Sequence, residues 1–199
     1  MLPVHYLTMA FILSILAHLL LDAEESNRVP LINMIPAIEK LGAEWAQSEL
    51  IYYLDPNHQP EWYVPKDQPD PEAFKTFLER TASRLGCDAL LKVAFGKGEL
   101  AINSGGHFVF LYRWGNQEAL SVEWSELLEK APLNQDEVPP VGSASCWAHH
   151  DLFHSLAFRR GPYLVRVECG RSENFLGLLA LAEAVDLNIL KATKQQPGP

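Results

Sequence analysis

Apolar positions along the chain recur with two periods, and these periods predict its elements. From Pro71 to Leu85 they fall at Phe74, Phe77, Leu78 and Leu85, with Thr81 in line, the three-and-four spacing of one helix face. Asp70 can cap this helix, Pro71 suits its first position, Glu72 complements the positive end of the dipole, and Gly86 supplies the stop. A second helix is predicted from Ser172 as N-cap through Phe175, Leu176, Leu179, Leu181, Ala182 and Val185 to about Leu190. It is apolar on so much of its circumference that it belongs deep against a sheet. Shorter helices are predicted over 31–41, interrupted near Pro36 and closed by Gly42, and over 122–130, capped by Ser121 and stopped before Pro132.

Between the helices, β-branched and aromatic residues gather in short runs at 49–54, 89–95, 100–103, 107–114, and 152–158 followed by 163–167. The turns carry glycine: Gly96-Lys97-Gly98, Ser104-Gly105-Gly106 and Arg159-Arg160-Gly161-Pro162. Such short connections demand antiparallel neighbours. The fold class that follows is α+β: an antiparallel sheet covered by helices, on one face or on both as an α/β/α sandwich. No segment repeats at a fixed period, which excludes solenoids and propellers.

The run Leu7 to Leu21, LTMAFILSILAHLLL, carries no formal charge and ends abruptly at Asp22. It has the length of a signal-peptide apolar region and falls short of the ~20 residues a spanning helix needs. Export is therefore expected, to the periplasm or the extracellular space. On this reading residues 1–23 are a signal peptide or an uncleaved membrane anchor, 29–190 a single domain and 191–199 a flexible tail. The competing reading is a buried core helix, because no Lys or Arg precedes the run and Leu21 stands where a small residue would precede cleavage after Ala23. No cysteine follows the run to take a lipid.

Charge narrows the partners. With 16 Lys and Arg against 25 Asp and Glu the formal net charge is −9, a field that repels phosphate backbones, and no basic run overrides it locally. Nucleic acid is excluded as a partner, and a membrane enters only through the N-terminal segment if it stays uncleaved. Cys87, Cys146 and Cys169 form neither a paired framework nor a CxxC motif, so at most one disulfide is expected, and Cys87 in its apolar run reads as a small buried hydrophobe.

The conspicuous polar cluster is Cys146-Trp147-Ala148-His149-His150-Asp151-Leu152-Phe153-His154. Its thiol, imidazoles and carboxylate are all ligand types for zinc or another transition metal, and His149, His150 and His154 are the candidate ligands. On a helix His150 and His154 would stack at i,i+4; on a strand, at ~3.3 Å per residue, they stand about 13 Å apart. The strand pattern from Leu152 favours the second geometry, so chelation would have to come from a local turn or a second chain. Ser143, Ser145 or Cys146 beside His149 could compose a nucleophilic site, but no GxSxG elbow or cysteine-protease signature supports it. The glycine pairs do not open helices as phosphate loops do, and no cofactor is expected.

Two further features could bind a partner. Aromatics around Tyr52-Tyr53, Trp62-Tyr63 and Tyr112-Arg113-Trp114 could line a ligand groove or partner surface, whereas Phe108, Phe110 and Tyr112, alternating along one strand, read as one face of a sheet. The segment 55–71 holds Pro56, Pro60, Pro65, Pro69 and Pro71 and reads as a long surface loop, a frequent place for function.

The stretch Leu156-Ala157-Phe158-Arg159-Arg160-Gly161-Pro162-Tyr163-Leu164-Val165-Arg166-Val167, with Val141-Gly142 before it and a Leu- and Ala-rich helix ending in Ala184-Val185-Asp186-Leu187 after it, resembles the closing hairpin and helix of a broad class of exported bacterial proteins of unknown function. Those proteins are small lipoproteins and extracellular sensor-like domains. Ile35-Pro36-Ala37 and Leu41-Gly42-Ala43-Glu44-Trp45 are similar to their opening. The resemblance implies a helix-covered antiparallel sheet and carries no catalytic residues.

The expected function is thus a non-enzymatic binding or structural module that meets a protein, peptide or small ligand through the sheet face or the Pro-rich loop. The alternative is a metal-binding protein or metal-dependent hydrolase built on His149, His150 and His154.

Overall fold

A computed structural model describes residues 29–97, 106–131, 138–150, 153–170 and 175–194. The apolar run over 7–21, the strand predicted over 100–103, the cap at Ser172 and the residues from Gln195 onward lie outside them. Among the described residues the strands are β1 (Trp45–Leu54), β2 (Trp62–Tyr63), β3 (Ala89–Lys97), β4 (His107–Arg113), β5 (Ala144–His150), β6 (Phe153–Arg160) and β7 (Tyr163–Gly170). They make one sheet in the order β2-β1-β3-β4-β7-β6-β5, every neighbouring pair antiparallel. The helices are α1 (Pro71–Leu85), α2 (Gln117–Lys130) and α3 (Phe175–Lys194).

Local chemistry sets the helix ends. Asp70 Oδ1 accepts a hydrogen bond from Ala73 N at 2.9 Å, Pro71 takes the first position, and Gly86 closes α1 at φ 72° with its N–H on the Ala82 and Ser83 carbonyls. Helix α2 starts earlier than the Ser121 cap predicts, because the Asn116 side chain accepts from Glu118 N at 2.8 Å. Ser121 lies inside the helix and donates to the Gln117 carbonyl at 2.9 Å. The segment 31–41 forms two 3-10 turns, Leu31–Met34 and Ile38–Lys40, rather than a helix, since Pro36 between them lacks an N–H and restricts Ile35. Helix α3 continues past Leu190 through Lys194, taking in the first residues of the polar tail. Strand β5, which the composition of Ala144–His150 does not announce, forms the edge of the sheet beside β6.

The sheet separates two apolar layers, giving an α/β/α sandwich. On one face α3 and the first 3-10 turn cover Phe95, Val109, Leu111, Leu156, Phe158, Val165 and Val167 with Leu31, Met34, Leu178, Leu181 and Val185. On the other face α1 and α2 bury Leu90, Trp114, Cys146, Ala157 and Leu164 under Leu78, Ala82, Leu120 and Trp124. Here α1 rests on β1 and β3 while α2 rests on β5, so the two helices stand on opposite flanks of this face. Asp186 of α3 ties the first layer to the hairpin: it accepts from Arg160 Nε at 2.7 Å and Nη2 at 2.6 Å, and from Gly142 N at 3.2 Å.

Candidate functional site

The register decides which members of the polar cluster share a face. His149 pairs with His154 across β5 and β6, and His150 pairs with Phe153. Since successive strand positions belong to opposite faces, His154 occupies the α3 face with Leu156 and Phe158. On β7, Cys169 is the partner of His154, so an imidazole and a buried thiol neighbour one another in this row. Among the described residues, no group of three His, Cys, Asp or Glu side chains is arranged to hold a metal ion; Asp151 lies outside them.

The nucleophile candidates are engaged in structure. Ser143 Oγ donates to the Arg159 carbonyl at 2.9 Å and Ser145 Oγ to the Pro139 carbonyl at 2.7 Å. Cys146 is fully buried, and burial pushes its thiol up to about 11. The Cys87 thiol is pushed up to about 12, chiefly by burial and then by the neighbouring Asp88. None of the three cysteines is in a disulfide and all are buried, and the raised Cys87 and Cys146 thiols are not activated nucleophiles.

A different constellation occupies the face between α1 and α2. A bulge in β1 between Leu50 and Tyr52 brings Tyr52 opposite Lys92. Lys92 then pairs with Phe110, and Phe110 with Arg166, giving the cross-strand row Tyr52, Lys92, Phe110, Arg166. The next row holds Phe108, Glu168 and Ser155. Lys92 Nζ lies 4.7 Å from the Phe108 ring centroid and 5.0 Å from that of Phe110, and Arg166 Cζ lies 4.8 Å from Phe110 on its other flank. Toward α1, Tyr52 meets Phe74 at 5.8 Å and Phe74 meets Phe77 at 5.7 Å, with Phe77 57% exposed. Phe74, Tyr52, Lys92, Phe108, Phe110 and Arg166 are all half-buried. They form one half-buried polar-aromatic strip across β1, β3, β4 and β7.

The electrostatics of this strip follow from partial desolvation. Burial lowers the Lys92 ammonium from the lysine range, with Arg166 pressing the same way and Glu168 opposing. Burial raises Tyr52 and Tyr112, each partly offset by Arg166. Burial, then Glu126, raises the Glu123 carboxyl on the α2 side, against Lys130 and Arg166. Arg166 Nε stands 2.8 Å from Glu168 Oε1, but out of line for a hydrogen bond, so charge alone holds that pair. Shifted groups gathered in one cluster mark a functional candidate.

Neither cation is among the site residues read from the sequence, although a signal was there. Lys92 interrupts Leu90-Leu91-Lys92-Val93-Ala94 and Arg166 interrupts Leu164-Val165-Arg166-Val167; a single cation inside an otherwise apolar strand must be paired, snorkelling or functional. The Pro-rich loop is partly pinned: Asp55 at its start is buried and takes hydrogen bonds from Leu31 N and Asn57 N, and Tyr53 Oη donates to the Pro60 carbonyl at 2.9 Å.

The fold is an antiparallel α/β/α sandwich with a polar-aromatic strip on one sheet face. Comparison with protein families, curated proteins and solved structures finds no match to the chain. No helix among the described residues is long and apolar enough to cross a membrane.

Proposed function

We propose that the chain is an exported, non-catalytic binding module whose ligand seats on the half-buried polar-aromatic strip between α1 and α2. The observation that carries this reading is the row Tyr52, Lys92, Phe110, Arg166: half-buried aromatic and cationic side chains, two of them charged, side by side on one sheet face. A purely structural sheet face would bury apolar residues there, since partial desolvation of a cation opposes folding. Export is supported by the uncharged apolar run at 7–21. A fragment screen read by NMR on the full chain tests the binding reading. Hits are expected to converge on resonances of Lys92, Phe108, Phe110 and Arg166; hits scattered elsewhere, or turnover in a hydrolase panel abolished by one substitution, would sink it.

A second reading is metal binding on the α3 face, favoured by the pairing of His149 with His154 and of His154 with Cys169. Elemental analysis decides it: a stoichiometric metal lost in His154→Ala supports it, and metal-free protein after growth in zinc-supplemented medium removes it.

A further inference from the structure

Helix α3 is apolar on two sides and packed on one. Leu178, Leu181, Ala182, Val185 and Ile189 face the sheet and are fully buried. On the opposite side Ala180, Glu183, Ala184, Leu187, Leu190 and Lys191 recur at the three-and-four spacing of a second stripe. Leu187 at its centre is 51% exposed, while Ala180, Ala184 and Leu190 are half-buried. A helix that carries apolar residues on its outer side as well as its inner one is matched to burial on both.

The charges on this stripe say what covers it. Glu183 lies one turn before Leu187 and Lys191 one turn after it, about 6 Å along the axis in each direction. Both are exposed, and neither is in an ion pair with a described residue. The stripe is therefore complementary to its own reverse. A two-fold axis at Leu187 lays a second α3 antiparallel on the first, sets Leu187 against its own copy, and brings each Glu183 level with Lys191 of the second copy. Ala184 and Leu190, three residues to either side of Leu187, come level in the same way. A parallel pair would instead oppose like charges. In a chain of formal net charge −9, the stripe holds one charge of each sign, so the contact itself is neutral.

We propose that α3 is a self-association surface, through which two copies of the chain form an antiparallel two-fold dimer centred on Leu187. A single helix pair falls below the ~1,200–2,000 Å² of a standard interface, so the dimer is a weak, concentration-dependent one.

Sedimentation equilibrium of the full chain from micromolar to millimolar concentration, combined with charge reversal, tests this. The unmodified chain is expected to dimerise. Glu183→Lys and Lys191→Glu should each weaken the dimer at least about tenfold, because two exposed pairs turn from attraction to repulsion. Mixing those two variants, or combining both substitutions in one chain, puts opposite charges back at every contact and should restore dimerisation. Leu187→Asn should abolish it. A monomer throughout the range overturns the proposal and leaves the stripe to the chain's own N-terminal segment or to a different protein. Association unchanged by Glu183→Lys, or not rescued by the double reversal, overturns it as well, since another surface is then responsible.

Discussion

Arg113 and Asp55 form a buried ion pair, Nη2 to Oδ1 at 3.0 Å, with side chains only 1% and 2% exposed. Asp55 at the end of β1 also accepts from Leu31 N at 2.7 Å and Asn57 N at 3.0 Å, and Arg113 at the end of β4 reaches Asp88 Oδ1 through Nε at 3.3 Å. One carboxylate therefore fastens the first 3-10 turn, the start of the Pro-rich loop and the central strand. Asp55→Ala leaves the guanidinium without its buried partner, and denaturant unfolding should show a loss of about 3–5 kcal/mol. A loss below ~1 kcal/mol would mean that water replaces the carboxylate at no great cost.

Lys92→Met should stabilise the protein at neutral pH. Burial places the folded-state ammonium below the ordinary value of 10.5. The folded state therefore releases this proton more readily than the unfolded chain, and stability rises as pH climbs from the folded value toward 10.5. The methionine variant lacks that penalty at every pH. Its advantage in thermal unfolding should be present at pH 7 and shrink in alkaline buffer; a constant difference across pH would assign the effect to packing.

Gly142→Ala should weaken the junction before β5. At φ 72° the residue is in the left-handed region, and a Cβ there would stand 2.5 Å from the Arg159 carbonyl oxygen and 2.9 Å from a Phe158 ring carbon. Backbone must shift, and with it the Gly142 N–H that donates to Asp186. Chemical denaturation should register a loss of more than about 1 kcal/mol. Gly161→Ala, with nothing within 4 Å of its Cβ, should lose less.

Removing residues 1–23 should leave the domain intact if the apolar run is an export segment. A core helix in its place would take with it large side chains worth ~1.5–3 kcal/mol each, against a total stability of ~5–15 kcal/mol. A cooperative transition near that of the full chain is the expected result of differential scanning calorimetry; an unfolded or aggregated product returns the segment to the interior.

Helix α1 was legible to the residue, because its limits are written in local chemistry: an aspartate cap, a proline at the first position and a glycine at φ 72°. Strand β5 was not, since Ala144–His150 mixes small, polar and aromatic residues without alternation and becomes a strand only because β6 offers it an edge. The histidine cluster drew notice by composition, yet among the described residues no three such side chains are arranged to hold a metal ion.

The sequence by itself determined the α+β class, the antiparallel pairing enforced by short turns, and the face parity of Phe108, Phe110 and Tyr112, for each depends on neighbours within a few residues. Only the tertiary structure decided that β4 lies between β3 and β7, and so that Lys92 and Arg166 flank one phenylalanine. Alternation along a strand states which face a residue occupies but carries no information about which strand lies beside it. That choice is made by the burial of two apolar layers at once, a property of the whole chain.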